Sequence, residues 1–344
     1  MGGGHQGLAM AAHLSLSGEQ VNLWNRTEEH ISKIIETGKI FCQGAVEGQG
    51  EVYCASSKIE EVYEDVILVA VPASAHRDVA RMLAPYVGNH TVIVLNPGRT
   101  FGAIDFRKCL REAGCRYEPK IAETQTILYT CRKTGPDECK IYALKKGVLF
   151  SALRPEDSDY VKSKLPDCMS RYFKKAENVF VTSLGNVGMI LHCAPVLMNI
   201  GWIENQKVDF KYYYEGISPT VAGYIEKIDR ERTELMRRLG IQGESTAEWM
   251  RRTYEIKGDS LYECIRNNTY YMEIDAPKTL KHRYLQEDIP CGLIPAESLG
   301  KLLKIPTSCM TLTIDLACAV MGTDYRKEGR IITKEDLDEV RGVF

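Results

Sequence analysis

Gly2-Gly3-Gly4-His5-Gln6-Gly7-Leu8-Ala9-Met10-Ala11-Ala12-His13-Leu14 is a glycine-rich loop opening directly into a run of strong helix formers. Gly2, Gly4 and Gly7 have the spacing G-x-G-x-x-G. Such a loop makes a tight turn, lets backbone approach a pyrophosphate closely and aims a helix N-terminus at negative charge. Alone the pattern is weak, and a flexible glycine-rich tail would carry it too. Its context is what selects the dinucleotide reading. A strand-like segment, Val21 to Asn25, follows the helix, and Asn25 falls where a ribose-binding residue is expected.

That strand ends in Asn25-Arg26-Thr27 rather than in a carboxylate. An acid there bonds a ribose 2′-OH and would repel a 2′-phosphate. Arg26 can stack on adenine or pair with the phosphate, and Asn25 and Thr27 can add hydrogen bonds. The expected cofactor is therefore NADP (NADPH), with NAD less favoured. The competing account of Arg26 is a plain surface arginine at a strand end.

Further along, Val66 to Val71 and Thr91 to Leu95 are continuous apolar runs closed by Pro72 and by Asn96-Pro97-Gly98. Strands apolar on both faces suit a parallel sheet covered by helices. Between them, Ala75 to Tyr86 places Val79, Met82, Leu83 and Tyr86 at helical spacing, and Ile121 to Tyr129 and Val148 to Leu153 read as further strands. The expected fold is α/β: a Rossmann domain with a doubly wound parallel sheet over residues 1–183. Helical periodicity then dominates residues 184–206, 217–240, 245–256 and 295–304, followed by the apolar segment 308–321. Residues 184–344 are thus expected to form an all-α domain.

One element is out of place. A glycine loop should follow the first, central strand of its sheet, yet here the loop begins at residue 2. Without that strand, its neighbours would carry unpaired backbone groups along a buried edge. Either the sequence starts late or cofactor binding has been lost. The expectation is a late start, with codons for a Val/Ile-rich strand upstream of Met1.

Composition bounds the function classes. The 44 basic and 46 acidic residues nearly cancel, which removes the electrostatic case for a nucleic-acid partner. By this reading no apolar run approaches the ~20 residues of a membrane span, and no secretory leader is expected before the glycines. The 12 cysteines form no C-x-x-C pair, so neither a zinc site nor a disulfide framework is indicated. Reduced thiols in a cytoplasmic protein, with no metal, are the expectation; a homodimer is left open.

Two segments of the second half carry candidate chemistry. In Asn186-Val187-Gly188-Met189-Ile190-Leu191-His192-Cys193-Ala194-Pro195, continuing to Asn199, Gly201 and Glu204, the histidine by itself reads first as a satisfied core residue. Arg283-Tyr284-Leu285-Gln286-Glu287-Asp288-Ile289-Pro290-Cys291-Gly292-Leu293 gathers an arginine and two acids before a helix, which a surface capping role would also explain.

Together with Asn96-Pro97-Gly98-Arg99-Thr100 and Glu123-Thr124-Gln125-Thr126, these segments resemble the NAD(P)-dependent octopine/nopaline (opine) dehydrogenase family, in order and along nearly the whole chain. The resemblance implies a Rossmann domain followed by a helical one. It also implies reductive condensation of an amino acid with a 2-keto acid, hydride going to an imine. By resemblance His192 is the catalytic histidine, Asp288 its partner carboxylate, Arg283 a substrate-carboxylate ligand and Thr126 a contact to the keto acid. A histidine suits the task because it can donate and recover a proton near neutral pH, and a carboxylate on its other nitrogen fixes the tautomer. The two are expected to meet at the cleft between the domains. Leu128, Cys193 and Ala194 depart from the family pattern, as does the absent first strand. The alternatives are a simple 2-keto or 3-hydroxy acid reductase on the same fold, or a degenerate NADP-binding protein. The Tyr212-Tyr213-Tyr214 run and Trp202 are candidates to line the amino-acid pocket, with plain core or surface packing at least as good an account.

Overall fold

The computed structural model describes residues 1–341 except Gln206. It divides into two compact units, Met1–Ser183 together with the terminal stretch that begins at Val340, and Leu184–Glu339.

The strands of the first unit are β1 (Asn22–Trp24), β2 (Lys39–Gly44), β3 (Gly48–Glu51), β4 (Cys54–Ser56), β5 (Val66–Val69), β6 (Val92–Leu95), β7 (Lys120–Thr124), β8 (Tyr129–Lys133), β9 (Glu138–Leu144), β10 (Val148–Ala152) and β11 (Phe173–Lys175). The principal sheet runs β11-β10-β7-β6-β5. Its β5, β6 and β7 are parallel and in register, Val69 opposite Leu95 and Leu95 opposite Glu123, so their carboxyl ends line up on one edge. All four residues of β6 are buried, as expected of a strand with helices on both faces.

Three features were not read from the sequence. The segment Ile121 to Tyr129, taken as one strand, is two: β7 ends at Thr124, and β8 starts at Tyr129 in another sheet. Thr124 Oγ1 donates to the Thr126 carbonyl at 3.0 Å and turns the chain between them. A second sheet, β3-β2-β9-β8, went unnoticed because its strands are short, partly exposed and mixed in polarity. Finally, β10 pairs antiparallel with β7, so the doubly wound sheet is not parallel throughout.

The first helix, His5–Leu16, packs against β2, β3, β8 and β9. It is buried from Gly7 to Leu14, and its Leu8, Ala9 and Ala12 are fully enclosed, which is why its sequence is apolar almost all round. Ahead of the first helix, Met1 and Gly2 bridge β5 and β1 by backbone alone. The Met1 α-amino group donates to the Leu68 carbonyl at 2.6 Å, the Ala70 N–H to the Met1 carbonyl at 2.9 Å, and the Gly2 N–H to the Trp24 carbonyl at 2.7 Å. β1 pairs with β4 and not with the five-stranded sheet. A cavity of about 450 Å³ lies beside Met1, lined by Asn22, Trp24, Val66, Leu68 and Leu14.

The second unit is helical, with helices Gly188–Met198, Pro219–Arg238, Thr246–Tyr254, Ile294–Leu303 and Ser308–Met321 close to the periodic segments. Pro219–Arg238 starts and stops where its sequence dictates. Ser218 Oγ accepts from the Val221 N–H, Pro219 occupies the first turn, and Arg237 and Arg238 lie at the negative end of the helix dipole. Buried on its inner face, Arg232 donates to Asp229, to the Leu184 carbonyl and to the Glu244 carbonyl, each at 2.8 Å. Asp229 also accepts from the Thr246 N–H at 2.6 Å and its hydroxyl at 2.8 Å.

The composition argument on membranes needs one correction. Val179–Met198 is long and apolar enough to cross a bilayer by length and composition, although no such run was recognised in the sequence. Most of it, 78 %, is buried inside the protein, and its helices break at Gly185–Val187, as a core segment allows. All twelve cysteines are free thiols.

The Asp229–Arg232 network generates a first test. Arg232→Met leaves Asp229 buried without its cation, which costs about 3–5 kcal/mol. Urea unfolding followed by far-UV circular dichroism should show a matching fall in the midpoint, and an unchanged midpoint would contradict the assignment.

Candidate functional site

In the second unit the helix Gly188–Met198 carries His192. Pro195 sits inside this helix and has no N–H to give the Leu191 carbonyl, its normal partner one turn back. Tyr212 makes good the loss. Its hydroxyl lies 3.3 Å from the Leu191 carbonyl and 2.7 Å from the His192 carbonyl. The Tyr212 ring is fully buried, and burial pushes its hydroxyl well above the usual tyrosine range, so it stays a donor. Asn199 closes the other end, its Nδ2 donating to the Pro195 and Gly216 carbonyls at 2.8 Å each. The peptide units around His192 are thus held from outside their own helix.

Asp288 stands 96 residues away and meets His192 directly, Nδ1 to Oδ2 at 2.7 Å. A carboxylate only accepts, so Nδ1 carries the hydrogen and proton exchange falls to Nε2. The Asp288 side chain is fully buried and that of His192 is 15 % exposed, so the pair sits at the boundary of the core. Asp288 lies immediately before a π-helical turn, Ile289–Leu293, an irregularity frequent at functional sites. Gly292 allows that turn to press on the histidine helix, because a Cβ there would lie 2.7 Å from the Met189 Cβ.

Tyr284 stacks on the His192 ring with centroids 3.9 Å apart and planes 16° apart. A stacked aromatic fixes the imidazole plane and stabilises its protonated form. Next to it, His282 Nδ1 accepts from the Tyr284 N–H. Burial first, then the nearby Arg283 and His192, holds the His282 imidazole below the usual histidine range. Arg283 is half exposed and pairs with the buried Glu287 at 3.5 Å. Of the residues weighed for a pocket, Tyr212 and Tyr213 are buried, and Tyr214 donates to the Arg266 carbonyl at 2.7 Å.

In the first unit the glycine loop is shaped as a phosphate cradle must be. Gly2 has φ +109°, and a Cβ at Gly7 would lie 1.7 Å from the Gly2 carbonyl oxygen, so only glycine permits this turn. Gly4 is the N-cap of the 12-residue first helix, with no side-chain cap and no acid in the first turn. A Cβ at Gly4 would meet nothing within 4 Å. The N-terminus of this helix carries no acid and no side-chain cap, and a dinucleotide pyrophosphate fits such a helix start.

Asn25 serves the loop itself. Its Oδ1 accepts from the Gly3 N–H at 2.8 Å and its Nδ2 donates to the Thr27 carbonyl at 2.7 Å. Arg26 is exposed and touches Asp78 at 3.5 Å; Thr27 is half-buried at the start of the short Glu28–His30 turn. Lys133 on β8, unnoticed in the sequence, reaches this region with Nζ 3.4 Å from the Gly3 carbonyl and 2.9 Å from the His30 carbonyl. Thr126 lies in the loop after β7, its hydroxyl 3.4 Å from Lys145 Nζ. Neither lysine belonged to a motif; both arrive from the second sheet.

The helical portion matches the family profile for the NAD/NADP octopine/nopaline dehydrogenase α-helical domain over residues 175–321, and residues 1–96 match that of ketopantoate reductase PanE/ApbA. The opine dehydrogenase of Arthrobacter sp. (strain 1C) is 35% identical over 340 residues, 98% of this chain and 94% of that protein. Vitopine synthase of Allorhizobium ampelinum is 22% identical over 279 residues, 79% of this chain and 74% of that protein. Among solved structures, octopine dehydrogenase with NADH and L-arginine aligns with TM-score 0.78 at 18% identity, covering 93% of this chain and 88% of that one. Yersinopine dehydrogenase with NADP+ bound aligns with TM-score 0.78 at 12% identity, covering 99% and 96%.

The repair of the histidine helix is testable. Tyr212→Phe removes the one hydroxyl proton shared by the Leu191 and His192 carbonyls, at about 1–3 kcal/mol. Chemical denaturation should show that loss with the ring packing preserved. A variant as stable as the parent would remove Tyr212 from this role.

Proposed function

The chain belongs to the octopine/nopaline (opine) dehydrogenase family, and on that premise we propose that it joins an amino acid to a 2-keto acid by NADPH-dependent reduction of their imine. The observation that carries the reading is the 2.7 Å contact between His192 and Asp288 in the helical unit. Imine formation requires loss of water from a carbinolamine, and a positioned acid speeds that loss. His192 Nε2 donates the proton to the departing oxygen and recovers one from the amine. Asp288 holds Nδ1–H and stabilises the imidazolium between those events, while Tyr284 keeps the ring plane fixed. Arg283, already close to Glu287, binds the amino acid's carboxylate through its two-pronged guanidinium, and Thr126 contacts the keto acid. Bound at the cradle of Gly2, Gly4 and Gly7, the dinucleotide supplies the hydride.

Arg26 favours the 2′-phosphorylated form, since no acid stands at Asn25-Arg26-Thr27. Arg26→Ala should weaken NADPH binding and leave NADH nearly unchanged in fluorescence titrations; equal losses would sink the preference. The simple reductase remains as the second reading because residues 1–96 match a ketopantoate reductase profile, but that match stops short of His192.

Product analysis separates the two. Pyruvate, an amino acid and NADPH should give a secondary-amine dicarboxylate, with little NADPH oxidation when either substrate is omitted. A plain hydroxy acid at comparable rate would transfer the assignment to the reductase. His192→Ala should lower turnover about 10²–10⁴-fold with cofactor binding retained.

A further inference from the structure

Tyr284 stands at the centre of a small aromatic group in the helical unit, and each neighbour meets it at a different angle. The His192 imidazole stacks on it with planes 16° apart. Tyr212 is tilted by 43° with centroids 5.1 Å apart, and His282 stands perpendicular to it, at 86° and 4.4 Å. Perpendicular aromatic contacts are favourable and directional, so the two outer rings limit how far Tyr284 swings off the imidazole. Tyr212 is already committed through its hydroxyl to the carbonyls of the histidine helix. Neither the proposed proton transfers nor the proposed substrate contacts use His282.

His282 is half-buried, and its own neighbour fixes its tautomer. Its Nδ1 accepts from the Tyr284 N–H at 3.4 Å, so the neutral ring carries its hydrogen on Nε2. Protonation then takes place at Nδ1 and breaks that bond. The charged groups that reach the ring are Arg283 and His192, which oppose protonation, and Asp288 and Glu287, which favour it. Burial is the largest influence, and with the two cationic groups it holds the imidazole below the usual histidine range. One ring is thus kept neutral beside a second, His192, whose task is to take up and release a proton. A neutral ring does not repel the imidazolium that forms there.

We propose that His282 is a positioning residue: its neutral ring, perpendicular to Tyr284 and tied to the Tyr284 N–H, keeps Tyr284 flat on His192 through the proton transfers. The step it serves rests on the proposed opine reaction, whereas the stack it maintains can be read without turnover.

The full-length protein is compared with two variants. His282→Asn keeps an acceptor for the Tyr284 N–H and loses the ring, and His282→Phe keeps a ring that cannot be protonated. Loss of the aromatic contact should lower kcat about 2- to 10-fold in His282→Asn, with both substrate KM values and the NADPH Kd within about two-fold. His282→Phe should recover most of that loss at neutral pH. Because His282 acts through Tyr284, His282→Asn should cost nothing further in a Tyr284→Leu background. The ratio of parent to His282→Phe kcat cancels substrate ionisation. It should fall as pH drops through the His282 titration, since protonation breaks the Nδ1 bond and sets a second charge beside His192.

NMR of protein carrying isotope-labelled histidine gives the comparison without turnover. A ring stacked at 3.9 Å shifts the His192 ring protons upfield, and that shift should shrink in His282→Asn and return in His282→Phe. An unchanged kcat in His282→Asn overturns the proposal, as does an unmoved His192 resonance or a full additional loss in the Tyr284→Leu background. A loss confined to one KM also overturns it and assigns His282 to substrate binding. If the parent makes no secondary amine while the His192 resonance still depends on His282, the reaction falls and the positioning role stands.

Discussion

The 2.7 Å contact between His192 and Asp288 sets the terms for the helical unit. A hydrogen bond tolerates errors of only a few tenths of an ångström, and its partners come from distant parts of the sequence. Neither host is a regular helix. His192 sits one turn before a proline, and Asp288 opens a π-helical turn. Both irregularities shift where a side chain points, and both are braced: by the Tyr212 hydroxyl on one side, and by Gly292 against Met189 on the other. The bracing residues are packed and dry, so the polar pair is positioned by apolar neighbours with few alternative arrangements.

The first unit solves a different problem, the reception of negative charge, and does so mainly with backbone. The cradle relies on a helix start at Gly4 with no side-chain cap and on glycines too crowded to carry a side chain. Side-chain cations around it are few and unequal. Lys133 cross-links the loop to the His30 turn, while Arg26 stands out in solvent, where screening limits what a charge can contribute.

Legibility in the sequence followed periodicity and motif. β5 and β6 were readable because they are continuous apolar runs, and the long helices because their apolar positions recur every three to four residues. The second sheet was not, since β2 and β9 alternate without a strong apolar face and their partners are remote. In the site, His192, Asp288 and Arg283 stood out through the order of the family motifs. Tyr284 lay inside a quoted segment without a role, because stacking at 3.9 Å is a fact of tertiary geometry. Tyr212 was weighed as pocket lining, although the clue to its bond was present: a proline within a helix leaves a carbonyl without its partner. His282 carries no local signal of its role, as its perpendicular contact with Tyr284 exists only in the fold.

The proline in the histidine helix also bears on motion. A helix normally opens and closes turn by turn, each local event independent of remote loops. Here the turn bearing His192 is fastened by a hydroxyl on the segment that also holds Gly216, a carbonyl bound by Asn199. Unfastening one end loosens the other, so the amides of the histidine turn and the 211–216 loop should exchange together. The backbone beneath the imidazole thereby depends on a loop 20 residues along the chain as well as on its own helix.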